Sequence, residues 1–151
     1  MDVLTSISFR QICKKEDKYF FFFFGYVLFL CYNECEVLDM TYQMRLHNEP
    51  FQLIKSGTKT IEMRLYDEKR RKLKVGDSIE FQNRVDGDTV LARIIHLHLF
   101  PNFTILYDNF DQVNLGYSSD QDANPDDMNQ FYSSDDQEKY GVVAIEIELV
   151  K

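Results

Sequence analysis

Cysteine is missing from residues 40–151: the three in the chain, Cys13, Cys31 and Cys35, all precede Met40. That absence excludes a disulfide-built fold for the last 112 residues. Cys31 and Cys35 also lack the paired spacing of a zinc site, and His47, His96 and His98 do not supply it. An excess of positive charge is missing too. The formal net charge is −8, which argues against a broad surface that coats nucleic acid. No apolar run reaches the roughly 20 residues that a membrane-spanning helix needs. There are no internal repeats. A chain of 151 residues has the length of one domain and buries a core without staples. With 28% charged and 44% hydrophobic residues it has an ordinary globular composition. A cysteine-free, acidic domain fits the cytoplasm.

The charge is unevenly spread. Residues 40–100 hold 11 Lys and Arg against 8 Asp and Glu, whereas residues 101–151 hold 2 against 11. The first stretch is able to present a local basic cleft; the second reads as a solvated acidic surface.

The first thirty-nine residues read differently from the rest. Tyr19–Tyr32, YFFFFFGYVLFLCY, follows Arg10, Lys14, Lys15 and Lys18 as a signal-peptide core would. Glu16 and Asp17 interrupt that basic stretch, however, and no small-residue cleavage site follows. Five consecutive phenylalanines match neither helical nor strand periodicity. A run of Phe is also what a T-rich non-coding stretch yields on translation, and Glu36-Val37 fits a ribosome-binding sequence just ahead of Met40. Residues 1–39 are therefore expected to be a non-native extension, with the true start at Met40 or Met44, and with a membrane anchor and a real structural element as the alternatives.

From Met40 onward the pattern is regular. Tyr42–Leu46 alternates like a half-buried strand. Asn48 and Pro50 suit a helix start, and Ser56-Gly57 suits its stop. Lys59–Leu65 reads as a strand whose period of two places Glu62 and Arg64 on one face, beside Thr60. Asp67 is expected to cap a short helix over Glu68–Lys72, before a turn at Val75-Gly76-Asp77. Ser78–Gln82 and Thr89–Phe100 read as strands joined by an Asp86-Gly87 hairpin. Phe103–Phe110 has helical character, and Asn114–Asp127 reads as a long loop of the kind that serves as a binding loop or a mobile excursion. Pro125 opens a short helix, and Ser134 caps another over Asp135–Tyr140. Gly141–Leu149 is the clearest strand, continuously apolar and then alternating, as in a strand that is central at first and later partly exposed. These elements predict an α+β domain over 40–151, a small mixed β-barrel with short helices around it.

The sharpest chemistry lies in Gly57-Thr58-Lys59-Thr60-Ile61-Glu62-Met63-Arg64. Gly57 lets the chain turn from helix to strand. Lys59, Glu62 and Arg64 together are able to grip a polar planar ligand, the cations serving phosphate or carbonyl oxygens and the carboxylate accepting from exocyclic amines. In a dry cleft Lys59 or Glu62 is also able to act as a base. A local Glu–Arg ion pair of little consequence is the bland alternative. His96 and His98 share a strand face. Such pairs bind metal in some settings but more often are exposed or satisfied polar residues, and no metal or cofactor is expected.

GTKTIEMR, with Met44-Arg45-Leu46 before it, Lys74-Val75-Gly76-Asp77 after it and the closing Tyr140–Ile145, resembles the ASCH domains, a branch of the PUA-like barrels. The resemblance covers about residues 42–150. It implies RNA or nucleotide binding in the cleft beside the GxKxxExR strand, by Gly57, Lys59, Glu62 and Arg64. Tyr66 or Tyr117 would stack on a base there. Some members are small bacterial amidohydrolases that deacetylate N4-acetylcytidine with a Lys, a Thr and a later Glu. Lys59 matches that lysine, Glu62 stands where they have the threonine, and the later glutamate has no assigned counterpart. The expected function is therefore binding of RNA, a nucleotide or a nucleoside. The alternatives are an amidohydrolase of acylated nucleosides, with Lys59 and Glu62 catalytic, and a protein-interaction module using the acidic loop.

Overall fold

The computed structural model describes residues 40–150, so the expectations for residues 1–39 lie outside the described residues. Five strands and four short α-helices follow Met40. In chain order they are β1 (Thr41–Leu46), α1 (Asn48–Lys55), β2 (Ile61–Leu65), β3 (Ser78–Asn83), β4 (Thr89–Phe100), α2 (Phe103–Tyr107), α3 (Gln112–Leu115), α4 (Ser134–Tyr140) and β5 (Val142–Leu149). Short 3-10 segments occupy Arg70–Lys72 and Pro125–Gln130. The sheet runs β1-β3-β4-β5-β2 and curls into a half-barrel, the α+β class that the pattern predicts. β1 lies parallel to β3, and the other neighbours are antiparallel.

Two hydrophobic clusters flank this sheet. Met44, Leu46, Ile79, Phe81, Ala92 and Ile94 join Phe51 and Ile54 of α1 in the first. Ile61, Met63, Phe103, Leu106, Leu115 and Met128 form the second, beneath the later helices. β5 serves both: Val143, Ile145 and Ile147 enter the first cluster, Val142 and Ala144 the second. Its continuously apolar first half thus follows from burial on both faces.

The local differences from expectation have simple causes. The first helix is preceded by His47 as its cap residue, with no side-chain capping bond. Asn48 instead accepts from Asn83 Nδ2 at 2.9 Å, tying the helix start to the end of β3. β2 begins at Ile61 rather than Lys59, because the backbone at 59–60 is bonded elsewhere: Lys59 N donates to Leu53 O and Thr60 N to Asn114 O. Asp67 accepts from the amides of Lys69 and Arg70, as a cap does, but only Arg70–Lys72 coils. Asp77 is buried and closes the Lys74–Asp77 turn by accepting from Lys74 N at 2.9 Å. Ser133, one residue before the expected Ser134, caps α4.

Phe81 is fully buried and Val85 is 77% exposed. Phe81→Ala should therefore cost about 3–5 kcal/mol in urea unfolding, and Val85→Ala should stay within about 0.5 kcal/mol.

Candidate functional site

The backbone places Lys59 before its side chain does anything. Residues 59–60 are strapped to α1 through Leu53 O, to α3 through Asn114 O, and to β5, where Ile147 N donates to Thr60 O. The Lys59 side chain then runs past Gly116, whose φ is +103°. A Cβ there would stand 3.0 Å from Lys59 Cδ, so glycine is required both for the turn and for the room. Lys59 Nζ donates to Leu115 O at 2.8 Å and lies 3.6 Å from Glu62 Oε2.

Glu62 and Arg64 share the face of β2 opposite Ile61 and Met63, as period two requires. Arg64 Nη2 meets Glu62 Oε1 at 2.9 Å, and its Nη1 donates to Tyr132 Oη at 3.1 Å. Lys59 is only 6% exposed and Glu62 4%, so this is a buried cluster of two cations and one carboxylate rather than a surface ion pair. Burial pushes the Lys59 ammonium below its ordinary value of 10.5; the nearby Glu62 counters this and Arg64 adds to it. Burial also works against the Arg64 charge, but Glu62 and Tyr132 outweigh it and hold the guanidinium above its usual value. Arg64 Nε is buried without a hydrogen-bond partner.

The cluster forms the wall of a cavity of about 330 Å³, shared with Arg45, His47, Arg84, Met128, Phe131 and Tyr132. Phe131 is 56% exposed, and its ring lies 6.2 Å from that of His47. A second cavity of about 560 Å³ adjoins it at Lys59, and Tyr107, Tyr117 and Asp127 also line it. A third, of about 420 Å³, shares Arg45, Arg64 and Arg84 with the first and adds Lys69, Arg70 and Lys72. The three make a furrow, cationic at one end and acidic near Asp127 at the other.

Lys59, Glu62 and Arg64 are thus brought together. Gly57, at φ +80°, ends α1 and lets the chain turn back towards β2, but it does not line the cavities. Tyr66 stands outside them as well. It packs against the first core and carries the Arg71 guanidinium 5.3 Å over its ring. Tyr117 lines the second cavity, where its hydroxyl bonds Tyr107 at 2.9 Å and Asp127 at 3.0 Å. Burial pushes the hydroxyls of both tyrosines upward. Arg45, His47, Arg84, Phe131 and Tyr132 are cavity residues that sequence reasoning missed. Arg45 carried a signal in the Met44-Arg45-Leu46 flank, and the others come from ends of β1, β3 and a turn that only the fold assembles.

The ASCH domain family profile matches residues 44–151, and the chain belongs to that family. It is 35% identical to the crystal structure of hypothetical protein PH0355, covering 74% of this chain and all of that one, with a TM-score of 0.63. It is 34% identical to protein PF0455 from Pyrococcus furiosus, over 74% of this chain and 99% of that one, with a TM-score of 0.56. The ASCH protein from Zymomonas mobilis is similar in fold, with 15% identity, coverage of 73% and 68%, and a TM-score of 0.50. No curated protein matches. Among the described residues no helix is long and apolar enough to cross a membrane.

Two outcomes follow from the buried cluster. Glu62→Gln should destabilise the protein by about 3–5 kcal/mol in urea unfolding, because two buried cations lose their counter-ion. The lowered Lys59 value means that the unfolded chain holds the proton more tightly than the folded one. Between that lowered value and 10.5 the unfolded state carries more protons, so stability rises with pH. Wild type should therefore gain stability relative to Lys59→Met as pH approaches 10.5, measured by paired denaturation curves.

Proposed function

We propose that the chain binds RNA or a nucleotide, with one nucleoside unit lodged against Lys59, Glu62 and Arg64. The observation that carries this reading is the buried charge cluster opening into a cavity edged by an exposed aromatic ring and further arginines. Its volume of about 330 Å³ lies in the range of about 300–1,000 Å³ usual for small-ligand sites. Glu62 is suited to an exocyclic amine, and Phe131 with His47 to the face of a base. Arg45, Arg84, Lys69, Arg70 and Lys72 line the continuation of the furrow, where phosphates would run. The acidic remainder of the surface restricts a polyanion to this track.

A second reading rests on one further fact. Burial holds Lys59 below the ordinary lysine range, towards the neutral amine that a general base needs. On that reading the site hydrolyses the amide of an acylated nucleoside such as N4-acetylcytidine. Lys59 activates water, and Glu62 passes the proton to the leaving amine.

Short single-stranded RNA should bind the full chain with an affinity that falls steeply with salt. Phe131→Ala should weaken it by about 1–3 kcal/mol, the scale of one base stack, and Arg45→Gln with Arg84→Gln should flatten the salt dependence. Fluorescence anisotropy measures all three, and no binding of any RNA, nucleotide or nucleoside would end the binding reading. Chromatography of N4-acetylcytidine incubations tests the second reading: it requires free cytidine from the wild type and none from Lys59→Ala.

A further inference from the structure

On β4 and β5, outside the cleft, stands a group that the nucleotide reading leaves unused. His96 and His98 lie two apart on β4, and Glu146 of β5 is directly opposite His96. The register shift between Ile94 and His96 resets the alternation of β4, so that both imidazoles emerge on the same face as Glu146. Glu146 pairs across β5 and β2 with Ile61 of the second core, whereas the neighbouring pair, Ile145 with Glu62, belongs to the other face. Glu62 and Glu146 thus point to opposite faces of the sheet, and none of the three histidine-site residues lines the cleft.

Glu146 Oε2 lies 3.3 Å from His96 Nδ1 and 3.0 Å from His98 Nε2. One ligand atom from each of the three residues falls within 4.8 Å of the others. Ligands about 2.0–2.1 Å from a tetrahedral zinc stand roughly 3.4 Å apart; two of the three separations are of that order, and the third lies within 4.8 Å. The edge of Phe110 packs against the His98 ring at a centroid distance of 5.2 Å and helps fix its orientation. Two imidazoles and one carboxylate suit zinc, nickel or copper(II) rather than calcium or magnesium, which take oxygen donors. His96 is exposed and His98 and Glu146 half-buried, which leaves the remaining coordination positions open to water or a further ligand.

We infer that His96, His98 and Glu146 form a binding site for one divalent transition-metal ion, with three protein ligands and an open side. The inference does not depend on the cleft.

Isothermal titration of the full chain with Ni²⁺, after alkylation of Cys13, Cys31 and Cys35 to silence the thiols, reads the site. One equivalent should bind, unaffected by excess Mg²⁺. His96→Gln with His98→Gln should abolish it, and Glu146→Gln should weaken it at least about 10-fold, since even loss of a group that only orients a ligand costs about 10–100-fold. The chain has three histidines, so an independent measurement needs no variant. Paramagnetic Ni²⁺ should broaden the imidazole resonances of His96 and His98 and spare His47. Absence of binding, equal binding by the double-histidine variant, or broadening of His47 alone would overturn the inference.

Discussion

Three charged groups packed at one point of the sheet, Lys59, Glu62 and Arg64, are the constraint around which this domain is arranged. A carboxylate taken out of water costs several kcal/mol unless cations and donors replace the lost hydration. Here Arg64 supplies a 2.9 Å contact, and Lys59 balances its own burial by donating to the carbonyl of Leu115. Each compensating contact requires a backbone held elsewhere. Leu115 must sit at the end of α3, Gly116 must leave room, and the segment 59–60 must be fixed by bonds to α1, α3 and β5. The helices over the second core thus position a charge as well as cover apolar surface.

Such a cluster is a poor means of stabilisation. Apolar residues of similar volume often do as well or better. The cluster also carries two cations to one anion and leaves Arg64 Nε without a partner. An excess of buried positive charge beside a cavity is better suited to a ligand that brings negative charge or acceptor atoms than to a self-sufficient core.

Much of this was legible in the sequence because the signals were local. Alternation over residues 59–65 fixed the common face of Glu62 and Arg64, and the positions of Gly57, Gly76 and Gly87 marked turns that the structure contains at positive φ. β4 runs from Thr89 to Phe100 as its pattern predicts. What was not legible depended on partners distant in sequence. Tyr132 meets Arg64 across 68 residues and Leu115 meets Lys59 across 56. Neither position has a periodicity that identifies its partner. Chemistry and proximity to the cluster point to Tyr66 and Tyr117 alike, but ring direction is set by packing: Tyr66 lies beneath Arg71, whereas Tyr117 lines the second cavity, bonded to Tyr107 and Asp127. His96 and His98 could be placed on one face, while their neighbour Glu146 became apparent only through the β4–β5 register.

β5 carries a further consequence of its two-sided burial. Most strands are protected against slippage because a shift by one residue exposes their apolar set to water. Val142 to Ile145 has no such protection, since both faces are apolar and either would accept its neighbour's side chain. The alignment must therefore be enforced from the ends. Gly141, at φ +70°, brings the chain so near Phe100 O that a Cβ would stand 3.1 Å from it, which pins the beginning. At the other end a one-residue slide would drive the Glu146 carboxylate into the first core, away from its histidines. Glu146 is in this sense a locking pin for strand alignment, and β5 can close the sheet between β4 and β2 in only one position.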